Sequence, residues 1–162
     1  MKKALALAFV VATATSLSAC GFALRGSDHT AAVIAPANLS TQLILEDNQF
    51  ALGLKRPLVK RLQLLGVSEQ ATAANTIKVD NLRLRRYELV GTLTEVRLVM
   101  MADVSYTIGG QTHRAPVQVE QSYQYNEASV VTVDQQGEKT KTWLYDHLAQ
   151  RIAEQYYAKA KL

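Results

Sequence analysis

The stretch from Thr76 to Asn126 repeats with a period of two, and this narrows the fold more than any other feature. In its middle, Val96, Leu98, Met100, Ala102, Val104, Tyr106 and Ile108 fall on one face of an extended chain. Glu95, Arg97, Asp103, Ser105 and Thr107 fall on the other. A strand with one apolar and one polar face belongs to a sheet covered on one side only. The strand before it slips in phase, with Ile77 and Val79 at odd positions and Leu82 and Leu84 at even ones. That slip predicts a bulge near Asp80-Asn81. Gly91 marks the turn between these two strands. Gly109-Gly110 predicts a tight hairpin into a further strand, where Val117, Val119, Tyr123 and Tyr125 alternate.

Helical spacing brackets this region. Leu43, Ile44 and Leu45 form a short first strand, closed by Glu46-Asp47-Asn48. Leu54, Leu58, Leu62 and Leu65 then share one face of a helix. Proline is tolerated in the first turn of a helix, so Pro57 predicts a regular start within a few residues of itself. Gly66 suits the position just past the helix end. Residues 127–137 read as irregular. A last helix follows from about Glu138 to Lys159, with Leu144, Leu148, Ile152 and Tyr156 as its inward stripe. The expected fold is α+β, in the order β-α-β-β-β-α, with two helices packed on one face of a four-stranded mixed sheet. The strand–helix–strand opening implies at least one parallel pairing.

The N-terminus concerns location. Lys2 and Lys3 precede an apolar run that closes on Leu17-Ser18-Ala19-Cys20, a bacterial lipoprotein signal in form. Cleavage before Cys20 is expected, with an S-diacylglycerol group on its thiol and an N-acyl group on its new amine. No other cofactor is implied. Each buried methylene contributes about 0.8 kcal/mol, and several chains together hold a protein far longer than one. Cys20 is the single cysteine, so no disulfide forms within one chain. Gly21 follows it; in lipoproteins of enteric type Asp there signals inner-membrane retention, so by that resemblance the outer membrane is the expected address. The domains are then a signal at 1–19, a lipidated tether at 20–38 and a single α+β domain at 39–162. A formal net charge of +4, reduced by loss of Lys2 and Lys3, is too mild to point to nucleic acid.

Three motifs carry a resemblance to a known family. Cys20-Gly21-Phe22-Ala23-Leu24-Arg25, then Leu62-Gln63-Leu64-Leu65-Gly66-Val67, then Leu144-Tyr145-Asp146 resemble, in order and approximate spacing, the LptE family of lipopolysaccharide-assembly lipoproteins. The resemblance implies a plug inside the large outer-membrane β-barrel LptD, which it helps assemble, and a part in placing lipopolysaccharide in the outer leaflet. It also implies contact with lipopolysaccharide through basic residues near the second-to-third strand turn and before the last helix. Arg83, Arg85 and Arg86 crowd the first place, and planar guanidinium forks suit phosphates. Lys139 and Lys141 stand nearest the second, where Val133 occupies the family's lysine position.

Other readings stay in view. Lys55, Arg56, Lys60 and Arg61 crowd the first helix without an acidic neighbour, either as a solvated face or as a binding surface. His29, His113 and His147 lie in a tether, a hairpin and a helix without metal-ligand spacing, and no nucleophile elbow or phosphate loop occurs. Catalysis is not expected. The alternatives to a barrel plug are a periplasmic lipid carrier, which needs an apolar cavity, and a structural lipoprotein tethering envelope components.

Overall fold

The computed structural model describes residues 34–91, 94–125 and 130–161. Its elements run β1 (Ser40–Leu45), α1 (Gln49–Leu64), β2 (Ser68–Glu69), β3 (Thr76–Leu89), β4 (Thr94–Ile108), β5 (Gln111–Tyr125) and α2 (Val130–Ala160). The class is α+β, as expected, but the sheet has five strands rather than four, in the order β2-β1-β3-β4-β5. The added β2 pairs only Ser68 and Glu69 with Ser40 and Thr41, in parallel. So short a strand has no periodicity to betray it. β1 also runs parallel to β3, while β3–β4 and β4–β5 are antiparallel.

The face expected from alternation is the buried one. Val96, Leu98, Met100, Ala102, Val104, Tyr106 and Ile108 join Leu54, Leu58 and Leu62 of α1 in one core. Leu144, Leu148, Ile152 and Tyr156 of α2 complete it. The opposite face is polar but not uniformly open. Val99 points there and is only 5 % exposed, flanked across the ladders by Arg85 and Glu120.

The bulge occurs where expected, with the β3–β4 register shifting between Asp80 and Arg83. Asn81 takes a left-handed conformation (φ 55°), which asparagine tolerates better than most residues. Its amide donates to Glu46 Oε1 (2.7 Å) and its side chain to Asp103 Oδ2 (2.9 Å). Glu46 Oε2 accepts from Asn48 Nδ2 (2.9 Å), so one carboxylate ties the bulge to the entry of α1. The β4–β5 turn is the two-residue loop Gly109-Gly110, both at positive φ, as a type I′ turn requires.

Both helices start earlier than expected. α1 begins at Gln49, capped by Asn48 Oδ1 accepting from the Ala51 amide (2.9 Å), so Pro57 lies well inside it. An interior proline removes the amide that would bond the carbonyl of residue 53. The cap and the buried Leu54–Leu58–Leu62 stripe outweigh that loss. Gly53 is needed for another reason: a β-carbon there would stand 2.7 Å from Cζ of Tyr145 on α2. α1 ends as expected at Gly66 (φ 78°), where the Gly66 amide bonds the Gln63 carbonyl and the Val67 amide the Leu62 carbonyl. α2 begins at Val130, absorbing part of the stretch read as irregular and carrying Gly137 inside it. A β-carbon on Gly137 would stand 3.3 Å from the Tyr123 hydroxyl, so the glycine marks a close approach to β5 rather than a break.

The packed unit spans Ile34–Leu162, so residues 34–38, expected as tether, belong to it. Ile34 is 3 % exposed and sits in the core. Asn38 is fixed by its side-chain bond to the Ala160 carbonyl (2.9 Å), while its own carbonyl accepts from Tyr156 (2.9 Å). Asn75, buried beside it, donates to the Ala37 carbonyl and to Asn38 Oδ1 (3.1 Å each) and accepts from the Gly109 amide (3.1 Å). The expected signal, Cys20 and residues 21–33 lie outside the described residues.

The two faces of β4 give a direct test. Leu98→Ala should cost roughly 2–5 kcal/mol by cavity formation, and Arg97→Ala no more than about 0.5 kcal/mol. Urea unfolding of both variants reads the difference; comparable losses would mean that the assigned phase of the strand is wrong.

Candidate functional site

The basic residues singled out in the sequence do not form one site. Arg83 and Arg85 stand on the polar face of β3, opposite Met101 and Val99. Arg83 Nη1 donates to the Asn81 carbonyl (3.1 Å), which turns it back over the bulge. Arg86 points to the other face, opposite Leu98, near the open end of the sheet. It remains solvated there by pairing with Glu88, donating from Nε at 2.6 Å. Strand alternation divides the expected arginine cluster between two faces. The adjacent end of the ribbon is apolar at its tip, with Leu89 and Val90 each 72 % exposed. Tyr87, Leu89, Glu95 and Arg97 there border a depression of about 260 Å³.

Lys139 and Lys141 also diverge. Lys141 lies 3.8 Å from Glu138 on its own helix. Lys139 faces α1 instead, across a shallow groove of about 660 Å³ that it shares with Arg56, Lys60, Trp143 and Asp146. The α1 cations noted in the sequence are thus joined by a cation from a residue more than seventy positions away.

What holds this groove's walls together was missed in the sequence. Arg61 reaches from α1 to Asp146 on α2, with Nε donating to Oδ1 (3.1 Å) and Nη2 engaging Oδ2. The bidentate bond holds the Asp146 carboxyl below its ordinary range and the Arg61 guanidinium above its own. Both side chains are partly exposed, so the pair contributes little on its own and positions more than it stabilises. Asp146 belongs to the Leu144-Tyr145-Asp146 motif, and a carboxylate on the closing helix was the available signal for a partner on α1.

On its other side, α2 guards the edge of the sheet. Trp143 stacks on His147, ring centroids 3.7 Å apart. One turn on, Arg151 Nη1 donates to the Gln118 carbonyl of β5 (2.8 Å). β5 is an edge strand and contains Pro116, which such a position permits. His113 lies on β5 as well, opposite Tyr106. Tyr106 is buried, which pushes its phenol well above the ordinary range, and it donates to Gln155 Oε1 (2.8 Å). Among the described residues, no three His, Cys, Asp or Glu side chains come together as a metal-ligand set. No helix among those residues is long and apolar enough to cross a membrane.

This fold recurs in solved structures. The minor lipoprotein of Acinetobacter baumannii superposes with a TM-score of 0.66 at 28 % identity, over 75 % of this chain and 92 % of that one. Its structural relatives are bacterial lipoproteins. Rare lipoprotein B of Shewanella oneidensis matches with a TM-score of 0.63 at 17 % identity, over 74 % of this chain and 95 % of the other. A lipoprotein of Caulobacter crescentus matches at 0.50 and 14 % identity, over 76 % and 91 %. The last two likenesses concern the fold alone. No family model and no curated protein matches the chain.

The interhelical pair sets a pH expectation. A carboxyl with a lowered folded pKa stabilises the fold above its unfolded value and loses that contribution as pH falls through the folded one. Wild type should therefore exceed Asp146→Asn in stability by no more than about 1 kcal/mol at neutral pH. The difference should shrink as pH drops below the usual aspartate value of about 3.9 and vanish only below the lowered folded value. Denaturant melts of both chains across that range check it.

Proposed function

We propose that this chain is an outer-membrane lipoprotein, anchored through Cys20, that fills the lumen of a large lipopolysaccharide-transporting β-barrel resembling LptD. In this role it helps the barrel assemble and assists lipopolysaccharide into the outer leaflet. It works by contact rather than by catalysis. The observation that carries the reading is the broad polar face of β3, β4 and β5, left uncovered beside a core closed by two helices. Barrel lumens are polar and wet, so a plug needs hydrogen-bonding surface on a rigid frame. Lys78, Asp80, Arg85, Asp103 and Glu120 offer that surface on adjacent strands. The lipoprotein relatives support the anchor. A lipid carrier, by contrast, needs an enclosed apolar cavity, whereas here the apolar face of the sheet is filled by Leu58, Leu62, Leu148 and Ile152.

Two experiments on the full-length protein separate these roles. Extraction in mild detergent should bring down one large barrel protein with it; recovery alone, carrying bound lipid, would favour the carrier. Fatty-acid labelling should mark the wild-type chain and fail on Cys20→Ala, with the domain still folded. Label persisting on Cys20→Ala would remove the anchor from the reading. Arg83→Ala/Arg85→Ala, both on the polar face, should weaken barrel recovery more than Arg86→Ala, which points to the helix side.

A further inference from the structure

The groove between α1 and α2 lies on a surface that the plug reading leaves without a role. Arg56 and Lys60 project into it from α1, one turn apart, and Lys139 faces them from α2. None of these three cations forms an ion pair among the described residues. The carboxylate in the groove, Asp146, is held by Arg61 in a two-point bond, and Lys60 acts on it only as a weaker, more distant charge. Thr142 brings no donor, because its hydroxyl already donates to the Glu138 carbonyl (2.9 Å). The site is therefore three cations against one neutralised acid.

Such an arrangement works against the fold. Like charges one helical turn apart destabilise a helix, α1 contains no acidic residue to offset them, and α2 adds a third cation across the gap. A bound anion removes that repulsion. One guanidinium fork and two mobile ammonium groups match the oxygens of a phosphate better than a single carboxylate. Pro57 and the indole of Trp143 flank the cations with apolar surface. His147 covers one side of that indole by stacking, which holds the ring in place.

We infer that this groove binds a phosphate ester carried on a group with an apolar face, its phosphate held by Arg56, Lys60 and Lys139 and its carrier laid against Trp143 and Pro57. The carrier is either a soluble sugar phosphate or the phosphorylated sugar head group of a lipid. Only the second source rests on the function proposed above; the phosphate site itself does not.

Trp143 is the single tryptophan of the chain and borders both this groove and a depression between α2 and β5 lined by Gln118, Glu120 and Arg151, so an emission change belongs to the groove where Lys60→Gln/Lys139→Gln removes it. Full-length protein in detergent is titrated with glucose 1-phosphate, with a phosphorylated glycolipid and with the same glycolipid after phosphatase treatment. Emission should change with a phosphorylated probe and not with the dephosphorylated lipid. A response to glucose 1-phosphate identifies a soluble ligand as sufficient; a response to the glycolipid alone identifies the head group. Lys60→Gln/Lys139→Gln should weaken binding about tenfold or more, because two of the three cations facing the phosphate are lost. Arg114→Gln, exposed on the edge strand β5, should leave it unchanged. Binding of the glycolipid with unaltered Trp143 emission, equal in wild type and Lys60→Gln/Lys139→Gln, overturns the groove and spares the proposed function. A phosphate-dependent response from a protein that never co-purifies with a barrel keeps the groove and removes the proposed function.

Discussion

Successive residues of β4 point to opposite faces, and both layers of the molecule are organised by that simple alternation. Its Val96–Ile108 face joins α1 and α2 in one core, and its ladders to β3 and β5 run the length of the strand. Removal of that apolar surface from water drives the packing. Because the helices occupy one side, the other side stays hydrated, and the asymmetry that makes the core also makes the polar surface.

Around this core, small polar devices fix what hydrophobic burial leaves free. Glu46 joins the Asn81 bulge to the start of α1, and Asn75 joins the entering chain to the β4–β5 turn. Asn38, to which Asn75 bonds, is in turn held against the end of α2 by Ala160 and Tyr156.

The charged groups show how a list of basic residues differs from a site. Arg85 and Arg86 are neighbours in sequence and stand on opposite faces of the sheet. Lys139 and Lys60 are remote in sequence and border one groove. Pairing sorts them further: Arg61, Arg86 and Lys141 each meet a carboxylate, whereas Arg56, Lys60 and Lys139 meet none among the described residues.

Local rules determined much of this from the residues alone. Alternation set the buried face of β4, the phase slip located the bulge, paired glycines made the hairpin turn, and Leu62-to-Val67 closed α1 on Gly66. Each depends on the few residues around it. The missed features depend on contacts between distant segments. β2 exists because Ser68 and Glu69 find the edge of β1, not because two residues prefer a strand. α1 runs through Pro57 because its leucines are buried, and α2 carries a glycine at 137 because Tyr123 lies close beneath. Tertiary structure alone decided which cations share a groove, since the reach between Lys139 and Lys60 is set by how two helices pack on a common sheet.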